Sequence, residues 1–198
     1  MIVDVDENGD TTLISRFKNG DKSAFEEIVV KYKDKIYNLC RHMLRDPQNA
    51  EDAAQDVFLK AYQALPKFQP EASLYTWLYR IATNTCIDYK RKPLLESLFG
   101  GPEGEERIIH DRASDEPSPE RLYESKEIDR ALHECLEKLS PKLRAIIILL
   151  EIEELSYEEI AETLDISLGT VKSRIARARE DLKKSMKKIT EQNSNKSV

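Results

Sequence analysis

The sequence has few of the residues that build disulfide, metal and membrane proteins. Its 198 residues include only three cysteines, three histidines and one tryptophan. The cysteines are widely spaced and form no Cys-x-x-Cys pair, which argues against a disulfide framework. No apolar run approaches the length of about 20 residues that spans a bilayer. The acidic N-terminus also lacks the pattern of a secretory signal. These absences predict a cytoplasmic protein with no cofactor.

Two short pairs, Cys40-x-His42 and His133-x-Cys135, hint at metal ligation. On a helix, side chains two residues apart point about 200° from each other, so neither pair can chelate one ion. We therefore predict no metal site, with part-buried thiols and surface histidines at these positions.

The net charge of −6 would disfavour a nucleic-acid partner if it were spread evenly. Residues 1–92 hold fourteen basic and fourteen acidic side chains, and residues 128–198 hold thirteen of each. The excess lies in residues 93–127, with ten acids against four bases. Residues 166–190 carry eight basic side chains and two acidic ones. Such a local basic stripe is what attracts a phosphate backbone.

Helical periodicity covers most of the chain, with apolar residues three and four apart, as from Phe25 to Met43. Four of the eight prolines and three of the six glycines fall between 93 and 119, which predicts a flexible acidic linker. We predict an all-α fold of two small helical domains joined by this linker. The predicted ranges are a disordered N-terminus at 1–10, helical domains at 11–92 and 121–190, the linker at 93–120 and a polar tail at 191–198.

The C-terminal domain carries the pattern of a helix-turn-helix. Ser156 and Glu159 match a capping box, which predicts a short helix from Tyr157 to Leu164. After a tight turn, a second helix is predicted from near Leu168, and the second helix of this plan enters the major groove of DNA. On a 100° wheel, the face opposite its apolar stripe holds Ser173, Ala176, Arg177 and Glu180, flanked by Lys172, Arg179 and Lys183.

Three stretches of the chain resemble one bacterial family. LSYEEIAETLDISLGTVKSRIARAREDLKK resembles the promoter-reading C-terminal region of sigma factors. AFEEIVVKYKDKIYNLCRHMLRDPQNAEDAAQDVFLKAYQAL and SLYTWLYRIATNTCIDYKRK resemble the N-terminal domain of the extracytoplasmic-function group. The resemblance implies a non-enzymatic transcription initiation factor that binds core RNA polymerase and promoter DNA and has no small-molecule substrate. It also implies control, as in stress responses, by a separate anti-sigma factor anchored in the membrane, with the active factor at the nucleoid.

The resemblance assigns the exposed face of the second C-terminal helix to the upstream promoter element. Lys172, Ser173, Ala176 and Arg177 would face this element, and Arg174 and Arg179 would contact phosphates.

Acidic residues crowd the start of the helix that follows Asp46, where the helix dipole favours them. Asp52 and Asp56 form an (i, i+4) like-charge pair, which costs a few tenths of a kcal/mol unless a basic group answers it. The resemblance supplies that group, the clamp helices of the largest polymerase subunit. The predicted polymerase-binding residues are Glu51, Asp52, Gln55 and Asp56, with Val57, Phe58 and Ala61 mostly in the core.

The second N-terminal motif predicts a core stripe of Leu74, Trp77, Leu78 and Ile81, with Tyr75, Tyr79, Cys86 and Lys90 on another face. Aromatic side chains beside cations suit stacking with unpaired bases. The resemblance implies that this region opens the downstream promoter element, with Asn84 reading a base edge and the loop at 67–72 lining the pocket. The predicted contacts are Tyr75, Tyr79, Arg80, Asn84, Lys90 and Arg91.

Two other functions remain open from the sequence. A stand-alone helix-turn-helix regulator would bind promoter DNA as a dimer without polymerase. An acidic-cluster metal nuclease could hold Mg²⁺ at Asp52 and Asp56, but no histidine, nucleophile or phosphate loop accompanies those carboxylates.

Overall fold

A computed structural model describes residues 9–69, 73–99 and 132–194, of which 92–99 and 188–194 are described as backbone alone. These residues are helices and short connections, and no strand occurs among them. Most of the linker predicted at 93–120 and part of the loop at 67–72 therefore lie outside the described residues. No described helix is long and apolar enough to cross a membrane.

The N-terminal unit consists of four helices. They are α1 (Asp10–Lys18), α2 (Ser23–Leu44), α3 (Pro47–Ala64) with a 3₁₀ turn at Leu65–Lys67, and α4 (Leu74–Phe99). The Asp46 side chain accepts a hydrogen bond from the Asn49 amide at 2.7 Å and caps α3, with Pro47 at its first position. Buried α2 residues recur at helical spacing, so one stripe of α2 faces α3 and α4.

The C-terminal unit consists of α5 (132–137), α6 (Pro141–Glu151), α7 (Tyr157–Leu164) and α8 (Leu168–Ser194). Every residue from Leu143 to Leu149 is buried in α6. A helix that is apolar on all sides must be covered on all sides. In this structure α8 covers one side of α6, and α2 and α4 cover another.

The all-α fold with two helical units is confirmed in the described residues, but three boundaries differ from those predicted. Helix α4 passes Pro93 and ends at Phe99, because a proline removes one helical hydrogen bond without forbidding the helix. Helix α8 continues to Ser194, into the predicted tail. Asp10, assigned to a disordered terminus, begins α1 and accepts hydrogen bonds from Lys31 and Tyr32 at 2.5 and 2.6 Å.

The two units, predicted to be joined by a linker, also pack directly on each other, and their buried residues form one cluster. We call the surface on which α2 and α4 meet α6 and α7 the seam. The Arg144 side chain lies in the seam with 4% of its surface exposed. It donates to the carbonyls of Leu136 at 2.8 Å and Met43 at 2.7 Å. The Met43 carbonyl belongs to the last turn of α2, where carbonyls lack partners and the helix dipole favours a cation. Burial lowers the pKa of Arg144 from its ordinary value, and nearby Glu137 opposes this effect.

Candidate polymerase and nucleic-acid interfaces

The helix-turn-helix forms where the sequence predicts it. The Ser156 hydroxyl accepts a hydrogen bond from the Glu159 amide at 3.2 Å, and the Glu159 carboxylate accepts one from the Ser156 amide at 2.8 Å. The reciprocal capping box is thereby confirmed. Helix α7 ends at Asp165, whose φ of 52° turns the chain in the left-handed region. Ser167 then accepts a hydrogen bond from the Thr170 amide at 3.2 Å in the first turn of α8.

Helix α8 buries one stripe and exposes the opposite face. The buried side is formed by Val171, Ile175 and Ala178. The predicted contacts with the upstream element are exposed, except for the half-buried Arg174: Lys172, Ser173, Ala176, Arg177 and Arg179. This face presents cations and small side chains, which suit phosphates and base edges in a groove.

Arg179 has a partner within the chain. Its guanidinium lies 2.7 Å from the Glu151 carboxylate, and both side chains are more than half exposed. An exposed ion pair of this kind contributes little to stability, so a DNA phosphate can replace Glu151 at small cost. Glu151 therefore orients the Arg179 side chain, but Arg179 can exchange this ion pair for a contact with DNA.

The predicted polymerase-binding face of α3 is accessible. Glu51 and Gln55 are exposed, and Asp52 and Asp56 are half-buried. Leu59 lies one turn beyond Gln55 with 58% of its surface exposed, and it adds an apolar side chain to this face. The three predicted core positions lie on the inward side of α3: Val57 and Ala61 buried, Phe58 half-buried.

Asp52 and Asp56 of α3 each accept a hydrogen bond from another side chain of the protein. Gln48 donates a hydrogen bond to Asp52 at 3.1 Å, and the Tyr89 hydroxyl of α4 donates one to Asp56 at 2.8 Å. Burial, followed by the bond to Asp56, raises the pKa of Tyr89 to about 12. Sequence reasoning missed Tyr89, because no local pattern joins residues on different helices.

The predicted DNA face of α4 is largely covered. Tyr79 is 0% exposed, and its hydroxyl donates to the Glu153 carboxylate at 2.5 Å. Tyr75 is half-buried, with its ring centroid 4.2 Å from that of Tyr79. The Lys35 ammonium lies 5.1 Å from the Tyr75 ring centroid. The structure thus places the two tyrosines against each other and beside Lys35 of α2, a cation that the sequence analysis did not name, and not on an open surface.

The other predicted α4 contacts divide between covered and open positions. Arg80 donates through Nη2 to the Glu162 carbonyl at 2.5 Å, while its buried Nε has no hydrogen-bond partner among the described residues. Lys90 is half-buried, with its ammonium 3.7 Å from Glu137, and burial lowers its pKa. Asn84 and Arg91 are exposed.

The apolar stripe of α4 is confirmed only in part. Leu74 and Leu78 are buried, whereas Trp77 and Ile81 are half-buried. Cys86, predicted on the same face as the tyrosines, is fully buried. Its contact with the Cys40 thiol, together with burial, raises the pKa of Cys86 well above its ordinary value. The two sets of residues lie on different faces of α4, as the sequence predicts, but both faces are packed against other helices.

The prediction of surface histidines is wrong for His133. This residue is 4% exposed, and its ring stacks on that of His42 with centroids 5.6 Å apart, because the two units meet there. All three cysteines are buried free thiols. Among the described residues, no group of three or more side chains could hold a metal ion.

Comparisons with known proteins match both units. Residues 28–93 match the family model described as Sigma-70 region 2, and residues 129–182 match the one described as Sigma-70, region 4. Among solved structures, the sigma factor RpoE in complex with the anti-sigma factor NepR from Bartonella quintana matches with a TM-score of 0.61 and 26% identity, covering 82% of this chain and 96% of that one. CnrH in complex with the cytosolic domain of CnrY matches in fold, with a TM-score of 0.65 and 24% identity over 91% of this chain and 98% of that one.

Two curated relatives are similar over nearly their whole length. The ECF RNA polymerase sigma factor SigW of Bacillus subtilis is 42% identical over 89% of this chain and 96% of its own. The RNA polymerase sigma-H factor of Pseudomonas aeruginosa is 40% identical over 91% of this chain and 95% of its own. Sigma factors are not in general enzymes. The matches in both units confirm the resemblance seen in the sequence: the chain belongs to the extracytoplasmic-function group of the sigma-70 family, the factors that direct RNA polymerase to promoters.

Proposed function

We propose that this sigma factor reads the upstream promoter element with the exposed face of α8. The supporting observation is the geometry of that helix, whose opposite face is buried while Lys172, Ser173 and Arg177 face outward. Ala176 gives the face a small apolar side chain that a thymine methyl can contact. Arg174 and Arg179 lie on either side, where they would contact phosphates and fix the register.

The acidic face of α3 is the proposed docking surface for core polymerase. Glu51, Asp52, Gln55 and Asp56 lie near the N-terminal half of one helix, where a basic partner helix would find complementary charge. Leu59 adds an apolar contact at the end of this face. Charge complementarity of this kind sets the association rate and the orientation of the partner.

The proposed contacts of α4 act on the downstream element. Unstacking a base costs a few kcal/mol, and no hydrolysis is available to supply it. Stacking on Tyr75 and Tyr79, which contributes about 1–3 kcal/mol per base, would offset this cost. Arg80, Lys90 and Arg91 would contact the backbone of the separated strand, and Asn84 would read a base edge.

The chain would have no catalytic activity of its own and would work in the cytoplasm, at the nucleoid when active. The Bartonella quintana relative is in complex with an anti-sigma factor, and we propose an analogous partner for this chain, anchored in the membrane. The acidic linker would enter the RNA channels of polymerase, where a growing transcript would compete with it. A solvated spacer explains its charge equally well.

Run-off transcription tests the proposal directly. Purified core polymerase should give protein-dependent transcripts from some fragments of a promoter library, and Glu51→Lys should reduce them by weakening docking. Asp34→Lys makes the same charge change at an exposed position of α2, away from the docking face, and serves as the matched control. A library that gives no protein-dependent transcript would contradict the function. DNA binding by dimers without polymerase would favour the stand-alone regulator instead.

A further inference from the structure

Helix α1 lies outside the match to Sigma-70 region 2, which starts within α2. Both ends of α1 are nevertheless fixed to the N-terminal unit. At its start, Asp10 accepts a hydrogen bond from Lys31 of α2 at 2.5 Å. Near its end, the Arg16 guanidinium lies 2.8 Å from the carboxylates of both Asp21 and Glu27. The position of α1 is therefore set by α2 and by the turn that precedes it.

The last turn of α1 also packs on α3. The Phe17 ring lies edge-on to the Tyr62 ring of α3, with centroids 5.3 Å apart, and 5.7 Å from the Phe25 ring of α2. The Phe25 and Tyr62 centroids are 5.1 Å apart. Aromatic pairs at these distances attract each other beyond the effect of their burial. This cluster of three rings brings the end of α1 into contact with the 3₁₀ turn at Leu65–Lys67.

Lys18, the last residue of α1, extends its side chain across that turn. Its ammonium donates a hydrogen bond to the Phe68 carbonyl at 2.6 Å. Two helix ends meet here, that of α1 and that of α3 with its 3₁₀ turn. The last carbonyls of a helix lack helical partners, and the helix dipole favours a cation beside them. A lysine at this position is thus favoured by both ends.

Phe68 is held from two directions. Its ring is 4% exposed and lies 5.0 Å from the Trp77 ring of α4, while its carbonyl accepts the hydrogen bond from α1. Phe68 belongs to the loop at 67–72, which the family resemblance assigns to the pocket for a captured base. Ser73 directly follows this loop and caps α4 by accepting a hydrogen bond from the Thr76 amide at 3.1 Å. The loop therefore starts at a contact with α1 and ends at the cap of α4.

The hydrogen bond from Lys18 acts on the backbone of the loop, which packing of the Phe68 ring does not fix. Recognition of a base edge requires groups that are held within about 0.5 Å of their productive positions. Loops are less precise in this respect than helices, unless a neighbouring element supports them. Helix α1 is such an element, because its own position is fixed at both ends.

We propose that Lys18 is a positioning residue for the downstream promoter element. From α1 it holds the Phe68 carbonyl, and this contact sets the loop at 67–72 against α4 so that the captured base is distinguished from the other three. Lys18 touches no DNA in this role, and it leaves polymerase docking and the upstream element unaffected. The selectivity rests on the function proposed for α4 and this loop, but the hold on Phe68 does not, so the two are tested separately.

Hydrogen exchange read by mass spectrometry tests the hold on Phe68 without DNA. Lys18→Met keeps a long side chain but removes the donor. Peptides that span the loop at 67–72 should therefore exchange about fivefold to tenfold faster, the change expected for the loss of one hydrogen bond. Lys18→Arg keeps a charged donor and should restore slow exchange. Lys33→Met, the same change at an exposed position of α2, should leave these peptides as in the unmodified protein.

Two results of this measurement would overturn the proposal. One is unchanged exchange of the loop in Lys18→Met. The other is an equal acceleration in the peptides of α1 and α2, since that would show a general loss of structure and not the release of the loop.

Run-off transcription tests the selectivity. An active fragment of the promoter library is substituted one base pair at a time across its downstream element. In Lys18→Met the preference of the unmodified factor for the original base should shrink about fivefold at one or two positions, and Lys18→Arg should regain it. Substitutions in the upstream element should have the same effect in all three proteins, and core polymerase binding should be equal.

An equal loss of transcription from every fragment in Lys18→Met, or no recovery of the preference in Lys18→Arg, would overturn the positioning role. A library that gives no transcript with the unmodified protein would overturn the proposed function and the selectivity with it. The exchange measurement would still decide whether Lys18 holds Phe68.

Discussion

The two helices assigned to DNA differ in how they present their contacts. Helix α8 keeps its buried stripe and its exposed face separate, so Lys172 and Arg177 point to solvent without any rearrangement. Helix α4 is packed on both sides, with Leu78 in its own unit and Tyr79 against the C-terminal unit. One proposed DNA-binding surface is thus exposed, and the other is covered.

The difference follows from where each helix lies in the chain. Among the described residues, helix α8 packs mainly on α6 and α7, and the face opposite its buried stripe is exposed. Helix α4 packs on α2 and α3 and receives α6 and α7 on its remaining side. The covered face of α4 can be exposed without unfolding only if the contact between the two units is less stable than either unit.

The largest predicted effect is a loss of stability on replacing Arg144, whose hydrogen bonds join the two units. Arg144→Met removes the donors to the Met43 and Leu136 carbonyls and leaves those acceptors buried. At about 1–3 kcal/mol for each unmet group, we expect a loss of about 3 kcal/mol in the free energy of unfolding. Urea unfolding measures this loss, with the exposed Lys142→Met as the matched control. A loss below that of the control would show that the seam does not depend on Arg144.

The exposed face of α8 should respond next. Arg177→Ala should weaken binding of the polymerase complex to its upstream element by about 1–3 kcal/mol if the guanidinium reads a base. Competition with duplexes substituted at each position measures the loss, and it should concentrate at one or two base pairs. Lys183→Ala, which removes an exposed cation at the edge of this face, should weaken all duplexes alike. A uniform loss for Arg177→Ala as well would show a phosphate contact.

The sequence predicts α8 and its surroundings almost residue by residue because their signals are local. The capping box at Ser156 and Glu159 and the apolar spacing from Val171 to Ala178 fix both helices of the motif and the face that α8 exposes. Helical periodicity alone predicts which face of α8 is exposed, and the family resemblance adds the function expected of that face.

The same reasoning fails for α4 because its environment comes from residues far away in the chain. The partner of Tyr79 lies 74 positions ahead, and that of Arg80 lies 82 ahead. One signal for this packing is present in the sequence: the apolar run from Ala145 to Leu150 has no polar side, so α6 requires cover on more than one face. Such a run indicates that a second layer exists, but not which helices supply it.

The hydrogen bond between Tyr89 and Asp56 links the open α3 face to the covered α4 helix, and its loss should have a moderate effect. Tyr89→Phe should lower the free energy of unfolding by about 1 kcal/mol at neutral pH. The pKa of Tyr89 is raised from 10.0 to about 12. A pKa that is higher in the folded state gives stability that is complete below pH 10 and is lost as the pH rises through about 12. The difference between the two proteins should therefore vanish at the alkaline end of this range, and a constant difference would contradict the bond.

The smallest predicted effect is a pH dependence of the contact that covers α4, and it comes from the Glu153 carboxyl group. Burial raises the pKa of Glu153 above 4.5, and the Tyr79 hydroxyl bond and Lys35 oppose the rise. Because the folded chain holds the Glu153 proton more tightly than an exposed carboxyl would, the packed arrangement of the two units is favoured as the pH falls toward 4.5 and weakened as the pH rises through the raised pKa.

The radius of gyration from small-angle scattering should therefore increase slightly from pH about 5 to about 8. Glu153→Gln keeps an acceptor for Tyr79 but cannot titrate, so its radius should change less over the same range. Glu158→Gln, at an exposed position of α7, should retain the dependence of the unmodified protein. If Glu153→Gln and the unmodified protein expand equally, another group controls the seam, and the covering of α4 depends on its apolar centre and not on this carboxylate.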